Sequence, residues 1–185
     1  MDVDSSRSIA EDYVRYRLES NGLAWQNGQG DINPNEIQRA MRALGDEFES
    51  RFSEQFDEMI NQLHITPETA HQTFRTIVNE IFQDGVNWGR IVALFGFGGK
   101  LAVRCVQQSM PQLVDNIVDW LANYVDLNLK QWIASNGGWA GFLEFYEGGP
   151  ERRTNDSWPS LKKICSYAAA GLGILTLGAF LSQKS

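Results

Sequence analysis

Cysteine is nearly absent from this chain of 185 residues. Its two cysteines, Cys105 and Cys165, stand far apart. That excludes a disulfide framework and a zinc knuckle, and it suits reduced thiols in a cytosolic setting. Basic charge is also short: 16 lysines and arginines against 23 acids leave a net charge of −7. An acidic balance argues against a nucleic-acid surface as the main function. Histidine is limited to His64 and His71, on different segments and without metal-ligand spacing. The sequence lacks strand-period alternation and internal repeats. Its start, "MDVDSSRSIAEDY", lacks the basic n-region and apolar core of a signal peptide.

Catalytic signatures are missing too. "GFGGK" has the glycines and lysine of a phosphate loop, but Leu94 stands where the first glycine belongs and Leu101 where Ser or Thr belongs. Acidic pairs such as Asp57-Glu58 suit a solvated helix face, and no nucleophile–base pair is identifiable. The expectation is a non-enzymatic protein with no cofactor, no metal and no small-molecule substrate.

What the chain does have is helical periodicity. Ile9, Tyr13, Val14 and Leu18 share one face of a helix from Ser8 to Ser20, stopped at Asn21-Gly22. Ile37, Met41, Leu44, Phe48, Phe52, Phe56, Met59 and Leu63 recur at spacings of three and four, predicting a long amphipathic helix. Gly45-Asp46 interrupts that face and predicts close approach of another backbone. Thr66-Pro67-Glu68 reads as a helix start, and Asp84-Gly85 as its stop. From Trp88 to Val106, capped by Asn87, the sequence is apolar nearly all round, which predicts the central helix, with Cys105 as packing. A helix opened by Ser109-Met110-Pro111 follows, then short ones over Leu129 to Ser135 and Trp139 to Tyr146. "EGGPERRTNDSWPS" reads as a polar linker.

A single long uncharged run remains: "ICSYAAAGLGILTLGAFL", with Lys162 and Lys163 before it and Lys184 after it. About 18 helical residues span roughly 27 Å, near the hydrocarbon thickness of a bilayer. Flanking lysines suit a membrane interface better than a core. The expected organisation is a helical domain over 1–146, a polar linker over 147–163 and a C-terminal membrane anchor over 164–181. Insertion would leave the remainder in the cytosol, so the sequon at Asn155 would stay unglycosylated.

Four stretches, in order, carry a family resemblance. "NWGR" with the apolar helix after it resembles the first homology motif of the Bcl-2 family of apoptosis regulators. "WIASNGGWAGFLEFY" resembles the second, "IQRAMRALGDEFE" the third (BH-3) and "EDYVRYRLESNGLAW" the fourth. "QLHITPETA" and "FQDGVNWGRIVA" look most like the prosurvival branch, of the Bcl-x long and Bcl-w type. The resemblance implies an all-α, Bcl-2-like bundle around a central hydrophobic helix, with a transmembrane tail helix. It also implies a surface groove for the BH-3 helix of a pro-death relative or a Bax/Bak-type effector.

Carried over residue by residue, the groove would have Phe48, Phe52, Phe56 and Met59 as one wall. Ile77, Ile81, Ala93 and Phe97 would form the floor and the other wall. Arg90 would pair with the partner's aspartate, Asn87 would hydrogen-bond nearby and Gly89 would admit the partner's backbone. Glu80, Arg51 and Tyr146 would lie at the rim. The resemblance also gives the chain a BH-3-like pattern of its own, Ile37, Met41, Leu44, Gly45, Asp46 and Phe48. It implies a tail-anchored prosurvival regulator at the mitochondrial outer membrane, facing the cytosol, with the endoplasmic reticulum and cytosol as further compartments. Two alternatives stay open: a pore-forming effector of the same family, since "VALF", "GKLAV" and Lys100 are effector-like, and a membrane-tethered structural adaptor.

Overall fold

A helix with no polar side can only be stable where other elements cover it on every side. Trp88–Gln107 is that helix, α4, buried along nearly its whole length from Gly89 to Cys105. Its start is fixed by Asn87, whose side chain accepts from the Arg90 backbone N–H at 2.8 Å. The computed structural model describes residues 5–28 and 33–164. Around α4 lie α1 (Ser6–Ser20), α2 (Glu36–Gln62), α3 (Ala70–Ile81) and α5 (Leu113–Tyr124). After α5 the chain passes through a π-helical turn, Val125–Leu129, into α6 (Lys130–Ser135) and α7 (Gly138–Glu147). Every regular element among the described residues is helical, as the periodicity predicts. None of these helices is long and apolar enough to cross a membrane. Apart from Ile164, the anchor expected over 164–181 lies outside the described residues.

Two local expectations are corrected. Gly45 sits in regular helix, and α2 kinks further on, at Phe52 (φ −126°, ψ 18°). What approaches Gly45 is a ring and not a backbone: a Cβ there would overlap the Tyr13 hydroxyl. Tyr13 lies in a seat formed by Gly45 on α2 and by Gly96 and Gly99 on α4. It also meets Phe95 edge-on at 6.0 Å. The second correction concerns the segment before α3. Thr66 and Thr69 exchange backbone-to-hydroxyl hydrogen bonds at 3.0 and 3.2 Å, which caps a turn over 67–69, and regular helix begins only at Ala70.

Charged side chains tie α1 to α2. Arg42 holds Asp12 through two hydrogen bonds of 2.9 and 2.5 Å, and this pairing raises the guanidinium's pKa against the opposing effect of burial. Arg17 bonds Asp46 at 2.9 Å and also Glu49. Lys100, the lysine within α4, pairs with Asp57 of α2 at 2.5 Å.

Candidate helix-binding groove

Three aromatic side chains make the apolar wall beside α4. Phe48, Phe52 and Phe56 recur every fourth residue along α2, so they share one face. Phe48 lies 5.2 Å from each of the other two, ring centre to ring centre. Phe48 also covers Gly96 of α4. The kink at Phe52 redirects the second half of α2, and Phe52 itself remains half-buried. Phe56, Met59, Ile77, Ile81, Ala93 and Phe97 are all buried in the same apolar cluster. The cluster continues through Phe74, stacked on Phe97 at 6.0 Å.

At the head of α4 the polar positions gather. Asn87 is used by its own helix as the cap. Arg90 is half-buried; its Nη1 donates to the Gly85 carbonyl at 2.9 Å, and it makes no ion pair among the described residues. A cation here opposes the positive end of the helix dipole, so its placement is not explained by α4 alone. Glu80 is half-buried. Arg51 and Tyr146 are exposed, and Arg51 pairs with Glu47 at 3.2 Å. Trp88 joins the first and second motifs physically: its ring meets Trp132 at 4.9 Å, Phe142 at 5.5 Å and Trp139 at 6.1 Å.

The chain's own BH-3-like face is turned inward. Ile37, Met41, Leu44, Gly45 and Phe48 are buried. Asp46, which is exposed, accepts from Tyr16 at 2.6 Å and from Arg17 at 2.9 Å.

Residues that sequence reasoning passed over complete the site. The stretch expected as a polar linker packs against the bundle. Trp158 is buried, with its ring 5.6 Å from Phe48, 6.4 Å from Phe52 and 6.3 Å from Phe145. A Cβ at Gly89 would overlap the carbonyl oxygen of Ser157, so this glycine admits a backbone, and the backbone it admits here belongs to the same chain. Arg153 is buried and donates to Glu47 and to the carbonyls of Phe145 and Tyr146. Leu161 and Ile164 are buried after it. Beside this strap, a cavity of about 330 Å³ opens between Asn87, Trp88, Gly89, Trp132, Phe145 and Asp156. The available signal was Trp158, the one aromatic residue in a stretch otherwise rich in charge, glycine and small polar side chains.

The family model described as "Apoptosis regulator proteins, Bcl-2 family" matches residues 41–139. The chain belongs to the Bcl-2 family. It is therefore a member of a family of non-enzymatic, protein-binding apoptosis regulators. It is 42% identical to "Apoptosis regulator R1" of Xenopus laevis over 184 residues, covering 97% of this chain and 79% of that protein. It is 46% identical to "Apoptosis regulator Bcl-2" of Gallus gallus over 151 residues, covering 82% of this chain and 64% of the relative. "Bcl-2-like protein 1" of Homo sapiens is 42% identical over 148 residues, with 80% and 64% covered. The chain thus spans slightly less than two thirds of the last two relatives. Bcl-2 family proteins bind the BH-3 helices of their relatives, which supports a partner of that kind.

Proposed function

We propose that this Bcl-2 family protein is a prosurvival regulator that sequesters pro-death BH-3 helices, and Bax/Bak-type effectors, in the groove beside α4. The observation that carries this is the juxtaposition at the head of α4. Among the described residues the Arg90 side chain has only a backbone carbonyl as partner, next to a glycine that tolerates a backbone and an aromatic wall spaced for helical anchors. An amphipathic helix with apolar anchors at i, i+3/4, i+7 and i+11 and one aspartate complements that arrangement. Arg holds a carboxylate through a planar fork, which Lys lacks. In this reading the strap through Trp158 stands where the partner would lie and must be displaced. The kinship to proteins named Bcl-2 and Bcl-2-like protein 1 supports the prosurvival branch.

The location is part of the same proposal. An anchor over 164–181 would hold the domain at the mitochondrial outer membrane, facing the cytosol. Removing residues 164–185 from a fluorescent fusion is expected to shift it from membranes to cytosol, read by fractionation.

Isolated mitochondria test the activity. The protein is expected to suppress cytochrome c release triggered by an activated effector. Release provoked by this protein itself would mean that the effector reading is the right one. Lys100, one of the features that pointed toward that reading along with "VALF" and "GKLAV", pairs with Asp57 of α2.

A further inference from the structure

Arg153 sits in an acceptor cage whose carboxylate, Glu47, also pairs with Arg51 of α2 at 3.2 Å. Its Nε and Nη2 reach one Glu47 oxygen at 3.0 and 2.6 Å, and Nε reaches the other at 3.3 Å. Its Nη1 donates to the carbonyls of Phe145 at 2.9 Å and Tyr146 at 3.0 Å. The guanidinium carbon lies 5.5 Å from the centre of the Phe145 ring. The side chain of Arg153 is 4% exposed and that of Glu47 is 17% exposed. The two carbonyls belong to the last turn of α7, at the negative end of its dipole; that of Tyr146 also accepts the Gly149 N–H at 3.2 Å. A planar fork of five donors fits a carboxylate, two carbonyls and a ring face together, whereas an ammonium is a point charge.

We propose that Glu47 and the C-terminal carbonyls of α7 form a guanidinium subsite at the edge of the groove. In the closed state this subsite is filled by Arg153. A partner helix carrying an arginine that reaches Glu47 takes over the site and so releases the strap. The proposal rests on the groove being a helix site. Two facts commit the occupant. The strap covers Glu47 with Arg153 and Phe48 with Trp158, so a helix that replaces it on the aromatic wall passes beside Glu47. Trp158, which covers Phe48 and Phe52, follows Arg153 by only five residues, so loss of the cage contacts unseats the tryptophan as well.

The test uses the full-length chain, a synthetic amphipathic helix with four apolar anchors and one aspartate, and the same helix with an arginine scanned along its polar face. Hydrogen exchange over 153–164 reads the strap directly. In Arg153→Ala that exchange is expected to rise, and the arginine-free helix to bind at least about ten-fold tighter. Methylguanidinium at millimolar concentration should slow the exchange again, and methylammonium should not. Glu47→Gln should abolish the rescue, and Arg153→Lys should behave like Arg153→Ala. At one position of the scan, arginine should tighten binding to wild type, with the gain lost in Glu47→Gln. Unchanged exchange in Arg153→Ala, weaker helix binding, or a wild-type-like Arg153→Lys would overturn the subsite. Saturable binding that depends on Arg90 but ignores Arg153 and Glu47 overturns the subsite and leaves the groove standing. Failure of every variant to bind any helix, with strap exchange still following the cage, sinks the groove reading and the displacement by a partner, while the cage survives as a lock on the strap.

Discussion

Tyr13 shows how one side chain can organise three helices and still carry an unmet need. Its ring packs into the seat between α2 and α4, yet its hydroxyl is buried with no hydrogen-bond partner among the described residues. A buried hydroxyl without a partner costs on the order of 1–3 kcal/mol, so Tyr13→Phe is expected to keep or raise the melting temperature. Burial also pushes the phenol's pKa up from its ordinary 10.0, and it pushes the Cys105 thiol from 9.0 to about 11. Both groups therefore stay protonated in the folded state at pH values where the unfolded chain has begun to release their protons. Stability is intact below pH 9 and falls as pH climbs from there toward the folded values. Melting temperatures measured between pH 8 and 10.5 should show this decline in wild type, and a shallower one in Tyr13→Phe and Cys105→Ala. Asn87 has a simpler role. Removing its cap in Asn87→Ala should cost about 1 kcal/mol in a denaturant titration. The cap and the misplaced cation Arg90 were both legible, because each is a local offence or service to one helix end. The seat of Tyr13 was not, since it depends on glycines of two other helices.

Among the elements, α4 was read almost to the residue. An all-apolar run with a cap has only one stable place, the centre of a bundle. The second half of α2 was read as helix but not as bent, because nothing at Phe52 breaks a helix locally. Gly45 drew attention through its low propensity, yet its role is space for Tyr13. Gly45→Ala should therefore be destabilising despite alanine's better helix propensity, by about 1–3 kcal/mol from overpacking. Circular dichroism during thermal unfolding measures it: a lower midpoint is expected, and a higher one would mean that the seat is loose. Tyr13→Phe in the same background should recover part of the loss, since the hydroxyl is the nearest atom.

At the scale of the molecule, the described C-terminal strap changes what the groove is at rest. Its burial could not be read from a polar stretch, because Arg153 pairs with Glu47, 106 positions away in sequence, and the Trp158 ring packs on Phe48 of α2 and Phe145 of α7, while its Nε1 has no partner among the described residues. The groove residues themselves were nameable only through the family resemblance. Helical spacing alone does not separate a wall from a core, and most of these side chains are in fact buried. If the strap competes with a partner helix, Trp158→Ala should tighten helix binding while raising hydrogen exchange over 153–164. Weakened binding would instead make Trp158 part of the receptor.

The central claim is that the counter-charge of Arg90 comes from another chain. Calorimetric titration of an aspartate-bearing BH-3 helix into wild type and Arg90→Ala tests it most directly. Saturable binding to wild type is expected, with a loss of roughly 30-fold or more in the variant, corresponding to about 2 kcal/mol or above for a broken desolvated pair. Replacing the helix aspartate by alanine should produce a similar loss in wild type and little further loss in Arg90→Ala. Equal affinity of wild type and Arg90→Ala for the aspartate-bearing helix would contradict the account.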